Sequence, residues 1–147
     1  MLYLASDHAG YRLKEEIKDY LDELGIKYRD LGPKKFDPED DYPDFAFKVA
    51  QKVGQNPDED KGILICGTGQ GMMKAANKIK GIRASVAWDE FTAEHIRAHG
   101  NTNILTLGGQ VIPLKTAKKI VATWLSTAFS REERHKRRLK KVENLKS

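Results

Sequence analysis

Two hydrophobic periods alternate along the chain, and their order predicts the elements. Leu2-Tyr3-Leu4-Ala5 is a short apolar run and reads as a first strand, followed by a loop, Ser6-Asp7-His8-Ala9-Gly10. From Tyr11 to Leu24 the period becomes helical, with Leu13, Ile17, Leu21 and Leu24 on one face and Gly25 closing the helix. Residues 27–31 predict a second strand, and Gly32 to Asp41 a polar loop carrying Pro33 and Pro38. Tyr42-Pro43 leads into a helix with Phe45, Ala46, Val49, Ala50 and Val53 facing inward.

The chain is organised around residues 61–81. Ile63-Leu64-Ile65-Cys66 is too short for a typical helix and predicts a buried strand. Gly67, Gly69 and Gly71 follow at alternate positions, and a helix over about 70–80 stops at Gly81. Beyond it, residues 82–87 predict a strand, 89–98 a short helix, and 103–107 a fifth strand ending at Gly108-Gly109. Residues 113–125 form a helix whose apolar face is Leu114, Ala117, Ile120, Val121, Trp124 and Leu125. A last helix, roughly 131–145, is mostly charged and has a thin stripe of Leu139, Val142 and Leu145.

Strands alternating with helices predict an α/β fold: a three-layer, doubly wound, Rossmann-like sheet of five parallel strands. Such sheets bind ligands beyond the carboxyl ends of their strands, where the strand order switches. The length fits a single domain spanning 1–147, with 131–147 as a basic C-terminal segment. That segment holds eight basic residues against three acidic ones, while the rest of the chain is balanced, so the net charge of +5 belongs to it. A phosphate ligand, a solvated helix and a nucleic-acid contact all fit this segment. The lack of interleaved aromatics and the Glu132-Glu133 start weaken the last. No stretch approaches the roughly 18 apolar residues of a membrane span, and no basic region precedes a long apolar run at the start. With a single cysteine there is no disulfide framework, and a cytoplasmic setting is expected.

A strand, a glycine-rich turn and a helix start together form an anion nest, because missing side chains let successive backbone N–H groups approach a ligand. Cys66 stands at its mouth. A lone cysteine is most often a small core hydrophobe, but this placement suits either a base that removes a proton alpha to a carbonyl or a covalent nucleophile, and nothing local separates the two. Thr68 can pass or accept a hydrogen bond there. Asp7 and His8 follow the first strand. They read either as a cap and a surface histidine, or as a carboxylate and imidazole that handle hydroxyl protons or bind an anion beside the Cys66 loop. The glycine series fails as a dinucleotide fingerprint, since its third glycine falls one place early and Met72 takes the slot. No nucleotide phosphate loop occurs, and no cofactor is expected. His95 and His99 lie four apart without an evident third ligand, so no metal is expected either. His99 ends its helix before Gly100 and is free to act as a general acid. Arg134 and Arg138 lie one helical turn apart and can hold a phosphate by charge-assisted forks.

These residues resemble the ribose-5-phosphate isomerase B and galactose-6-phosphate isomerase family. The resemblance lies in SDHAG (6–10), DYPDFA (41–46), GILICGTGQGMMKAANKIKGIRA (62–84), HGNTNILTLGG (99–109) and RHKRR (134–138), in order and over most of the chain. It implies interconversion of an aldose phosphate and a ketose phosphate without cofactor or metal, through a cis-enediolate. Cys66 falls on the base, His99 on the ring-opening acid with Asp7 assisting, and Thr68 with the backbone of Gly67, Gly69, Gln70 and Gly71 on the enediolate site. His8, Arg134 and Arg138 fall on the phosphate-binding group, and Tyr42 on the sugar pocket. The resemblance also implies a homodimer or pair of dimers in which each site borrows residues from its neighbour through the basic helix. It implies no nucleic-acid or membrane partner. Two positions depart from the pattern: Gly100 replaces an asparagine and Gln110 an arginine. Ribose 5-phosphate is the expected substrate. Allose 6-phosphate, galactose 6-phosphate or a non-catalytic phosphosugar-binding role are the alternatives. Trp88 and Met72 are further candidates for reshaping the pocket.

Overall fold

The computed structural model describes residues 1–145; residues 146 and 147, the end of the expected basic segment, lie outside the described residues. Five parallel strands make one sheet: β1 (Leu2–Ser6), β2 (Arg29–Asp30), β3 (Lys61–Cys66), β4 (Ala84–Val86) and β5 (Ile104–Gly108). Their spatial order is β2-β1-β3-β5-β4. The helices are α1 (Tyr11–Glu23), α2 (Tyr42–Gln55), α3 (Gln70–Ala76), α4 (Glu90–Ala98), α5 (Leu114–Ser126) and α6 (Glu133–Glu143). A 3-10 turn, His8–Gly10, joins β1 to α1.

Side chains alternate across the strands, so each contributes to two cores. Leu2, Leu4, Ile63, Ile65, Leu105 and Leu107 face α1, α4 and α5, where Ile17, Ala93 and Trp124 pack against them. Tyr3, Ala5, Leu64, Cys66 and Ile104 face α2 and α3, against Val49, Val53, Met72 and Ala76. This is the expected three-layer arrangement. Met72 is fully buried in the second core and therefore does not line a pocket. Trp88 is 57% exposed. No helix among the described residues is long and apolar enough to cross a membrane.

The chain leaves β1 for β2 on one side and returns to β3 on the other. The switch in strand order therefore falls between β1 and β3, and it sets the Asp7 loop beside the Cys66 loop. Register fixes this closely: Ser6 lies opposite Ile65, and the Asp7 N–H donates to the Ile65 carbonyl at 3.1 Å.

Four elements are clearly shorter than the sequence pattern suggests, among them β4, which keeps three residues of the predicted 82–87. β2 keeps two residues of the predicted 27–31, because it is an edge strand paired to β1 alone. α3 ends at Ala76 rather than near Lys80. There the Asn77 side chain takes over backbone pairing: its Oδ1 accepts the Ala84 N–H at 2.8 Å and its Nδ2 donates to the Ala84 carbonyl at 2.9 Å. That amide ties the end of α3 to the start of β4. α6 covers Glu133–Glu143 of the expected 131–145, with Arg131 at φ 60 before it. Its expected apolar stripe is largely uncovered, with Val142 74% and Leu145 83% exposed.

A buried ion pair anchors the loop after β2. Lys14 is fully buried and donates to both Asp30 oxygens, at 2.9 and 2.8 Å, and to the Pro33 carbonyl at 2.8 Å. Asp30 also accepts from Lys18 and from the Gly32 N–H. A buried charge is tolerated only when it is paired and hydrogen-bonded in this way. The pair holds the entry of the polar loop that carries Asp40.

Candidate active site

Cys66 ends β3 and is nearly buried. Its Sγ accepts the Gly69 N–H at 3.2 Å, so the turn folds back over the sulfur. Gly69 has φ 82, a conformation open to glycine, and a Cβ there would lie 2.9 Å from Val86 Cγ2 and 3.1 Å from the Leu107 backbone. The Thr106 hydroxyl donates to the Gly69 carbonyl at 2.8 Å and pins the turn to β5. Thr68 is exposed at the tip, and its Oγ1 accepts the Gln70 N–H at 3.3 Å. Gly71 lies under the Tyr42 ring, whose Cε1 would be 2.8 Å from a Cβ. Gln110 approaches from β5: its N–H donates to the Gly67 carbonyl at 3.0 Å, and its Oε1 would stand 2.9 Å from a Cβ on Gly67.

Asp7 and His8 complete this end. Asp7 is buried and caps the 3-10 turn, its Oδ1 accepting the Gly10 N–H at 3.1 Å. Burial pushes its carboxyl above the ordinary carboxylate value, against the opposing pull of the Gly10 N–H and of His8. His8 is held by Asp40, whose Oδ1 lies 2.9 Å from the His8 backbone nitrogen and 2.7 Å from Nδ1. The hydrogen bond to Asp40 is the largest influence on His8 and raises its pKa above the usual 6.5. Ligand-type atoms of Asp7, His8 and Asp40 all lie within 4.8 Å of one another. The other Asp40 oxygen, Oδ2, is buried with no hydrogen-bond partner. Asp40 was hidden from the sequence reading in the charged run 37–41, where its neighbours Glu39 and Asp41 are indistinguishable by pattern.

The His8–Asp40 pair gives a direct test. A histidine whose folded pKa is raised contributes stability that is fully present below the unfolded value and is lost as pH rises through the folded one. Asp40→Asn removes the main cause, so the His8 midpoint should fall toward 6.5. The His8 Cε1 proton, followed by NMR against pH, reads this. An unchanged midpoint would mean that Asp40 does not hold the imidazolium.

The remaining sequence candidates lie at the opposite end of the sheet. α4 runs back from the carboxyl end of β4, and His99 caps its last turn. Asn103, just beyond, accepts the Gly62 N–H with its carbonyl at 2.9 Å, at the start of β3. Cys66 ends that strand, which spans about 16 Å from Lys61. His99 and Gly100 line a cavity of 1110 Å³ shared with Arg83, His95, Lys136 and Leu139. Arg134 and Arg138 stand on α6, whose Glu143 reaches Arg83 at 3.3 Å. Gly100 has a packing reason of its own, since a Cβ there would lie 2.9 Å from the Ile96 carbonyl. One chain thus unites Asp7, His8, Tyr42, Cys66–Gly71 and Gln110 at one end, and His99, Gly100, Arg134 and Arg138 at the other.

His95 packs its ring against Phe91 at 5.9 Å and against His99 at 4.2 Å. His135, concealed inside a basic run of the sequence, is buried and also stacks on His99 at 4.2 Å.

The ribose/galactose isomerase family matches residues 2–142. YwlF of Bacillus subtilis, named provisionally as a sugar phosphate isomerase without a stated sugar, is 48% identical over 139 residues, covering 95% of this chain and 92% of that protein. The crystal structure of ribose-5-phosphate isomerase B from Mycoplasma genitalium, with bound ribulose-5-phosphate, superposes with a TM-score of 0.93 at 46% identity, covering 97% of this chain and 93% of that one. The corresponding enzyme of Thermotoga maritima gives a TM-score of 0.92 at 44% identity, covering 98% and 97%.

Proposed function

The chain belongs to the ribose/galactose isomerase family, and from that membership we propose that it interconverts ribose 5-phosphate and ribulose 5-phosphate through a cis-enediolate. The observation that carries the reading is the Cys66 sulfur under the Gly67–Gly71 turn, next to Asp7 and His8 at the switch in strand order. In this mechanism the Cys66 thiolate removes the proton from C2 of the open-chain aldose and delivers it to C1. Charge that develops on the substrate oxygens meets backbone N–H groups of the turn and the Thr68 hydroxyl, which are fixed before the reaction begins. His99 gives a proton to the ring oxygen to open the furanose, with Asp7 assisting. His8, Arg134 and Arg138 hold the phosphate, and Tyr42 lines the sugar pocket.

The two-ended arrangement supports an assembly. Cys66 and His99 act on one substrate only if they come from different copies of the chain. We therefore take the active protein to be a homodimer or a pair of dimers, with each site at a subunit boundary. The exposed basic α6 is then the element that carries Arg134 and Arg138 to the neighbour's phosphate site. The single-domain organisation of residues 1–147 and a cytoplasmic setting belong to the same reading.

A six-carbon substrate is the second reading, and Gln110 favours it. Its neutral amide sits beside Gly67, where the family pattern has an arginine. Gly100 adds the loss of an amide at the His99 end. A charged hydrogen bond contributes about 1.5–3 kcal/mol, so these positions change what the phosphate and sugar ends grip. The test is NMR-followed isomerisation of ribose 5-phosphate, allose 6-phosphate and galactose 6-phosphate in deuterated water. Turnover of ribose 5-phosphate with deuterium entering the exchanged carbon is expected. Preference for a six-carbon phosphate would make residues 100 and 110 specificity changes. Binding of all three without turnover would make the chain a phosphosugar-binding protein.

A further inference from the structure

α4 presents Phe91, His95 and His99 at successive turns, and the row of rings does not end there. His135 on α6 continues it. It is 3% exposed, and its ring lies on the His99 ring with centroids 4.2 Å apart and planes inclined by 28°. Both of its nitrogens are occupied. Nδ1 lies 2.7 Å from the Ser130 hydroxyl, while Arg134 Nε donates to Nε2 at 3.4 Å. Arginine has only donors, so Nε2 must carry the lone pair and the ring proton must sit on Nδ1, directed at Ser130. Ser130 is itself tied to α4, its N–H donating to the Ala98 carbonyl at 3.0 Å.

We propose that His135 is the positioning residue of the His99 end: its face fixes the His99 imidazole, and its Nε2 orients Arg134. This rests on the reading of His99 as the ring-opening acid and Arg134 as a phosphate ligand. It goes further by joining the two through one neutral ring. An exposed imidazole alone has free rotamers. Here the His99 ring packs against both His95 and His135, each with its centroid 4.2 Å away. Arg134 is half exposed and is held on two sides, by Glu132 Oε2 at 3.0 Å and by His135.

The electrostatics agree with a neutral ring. Burial lowers the His135 pKa most, followed by its electrostatic coupling to His99 and Arg134, with Glu132 opposing and Arg138 adding to the lowering. From α4, His99 is the titratable group that touches the ring; from the α6 side, Glu132, Arg134 and Arg138 surround it.

The two functions of the ring separate by substitution. His135→Phe keeps a flat face against His99 and loses the acceptor for Arg134. His135→Gln keeps an acceptor near the Nε2 position and loses the face. The expected result is crossed. H135F retains kcat within about threefold but weakens inorganic phosphate binding and raises KM, whereas H135Q holds phosphate and loses about tenfold or more in kcat. Parallel loss of kcat and phosphate affinity in both variants would reduce His135 to a packing residue and overturn the proposal, as would native values in both. H99A separates the premise from the inference. A native rate in H99A would remove His99 as the acid and with it the kcat half of the proposal. A dead H99A beside crossed His135 variants supports both. Thermal melts and oligomer size, measured on each variant, identify any that fails to fold, and the other then decides.

Discussion

Cys66→Ala should lower the isomerisation rate by about 10²–10⁴-fold, the usual contribution of a positioned proton-transfer group. That corresponds to about 3–5 kcal/mol of transition-state stabilisation. The loss should appear in kcat and kcat/KM together, because the thiolate acts on C2 and does not grip the ground-state phosphate. The fold should survive. Cys66 packs between Leu64 and Met72 as a small apolar side chain, and alanine keeps most of that contact. Cys66→Ser refines the experiment. A hydroxyl can still accept the Gly69 N–H that now reaches the sulfur at 3.2 Å, yet it is a far weaker base at neutral pH. Serine should therefore behave like alanine in turnover and like cysteine in stability. Native turnover by C66A would remove the base from the mechanism. Loss of inorganic phosphate binding alongside turnover would mean that the turn, and not the proton transfer, had been damaged.

The same residue shows what one dimension can and cannot carry. Ile63-Leu64-Ile65-Cys66 announces a buried strand by its length and apolarity, and three spaced glycines announce the turn, because both signals are local. The expectation that the Asp7 loop lies beside it also holds, since right-handed crossovers leave few strand orders to choose from. What pattern missed is side chain to backbone and side chain to side chain bonding at a distance. Asn77 stops α3 by pairing with Ala84, seven residues on, and nothing in the run from Gln70 to Lys80 forecasts that bond. Asp40 holds His8 from thirty-two residues away, and its charge alone does not distinguish it from Glu39 or Asp41. His135 is the buried position of a helix otherwise turned to solvent, so a run of arginines and lysines conceals it. Lys14 is a charged residue at a core position of α1, where the helical period leads one to expect an apolar one. The candidate site is legible where residues adjoin in sequence, and less so where the partner lies on another element.

Mixing two inactive variants should restore activity, and this is the most demanding consequence of the two-ended arrangement. Cys66 stands at the carboxyl end of β3, while His99 stands at the cavity near its start. If one substrate needs both, each site joins the Cys66 end of one copy to the His99 end of another. C66A and H99A should then each be nearly inactive, because every site in either homodimer lacks one of the two groups. When equal amounts are unfolded together and refolded, random pairing in a two-fold symmetric dimer makes half of the dimers mixed. In a mixed dimer, one site receives both substitutions and the other receives neither. About a quarter of all sites is thus intact, and the mixture should recover about a quarter of the native rate. Within-chain sites give the opposite result, since each chain carries a defect and no shuffling removes it. Adding Arg134→Ala sharpens the reading. Placed on the H99A chain it leaves the restored site whole, because that site takes its His99 end from the C66A chain. Placed on the C66A chain it removes a phosphate ligand from that same site, so KM should rise. Equal effects from the two placements would separate Arg134 from the His99 end, and no recovery at all would mean that no site is shared between two chains.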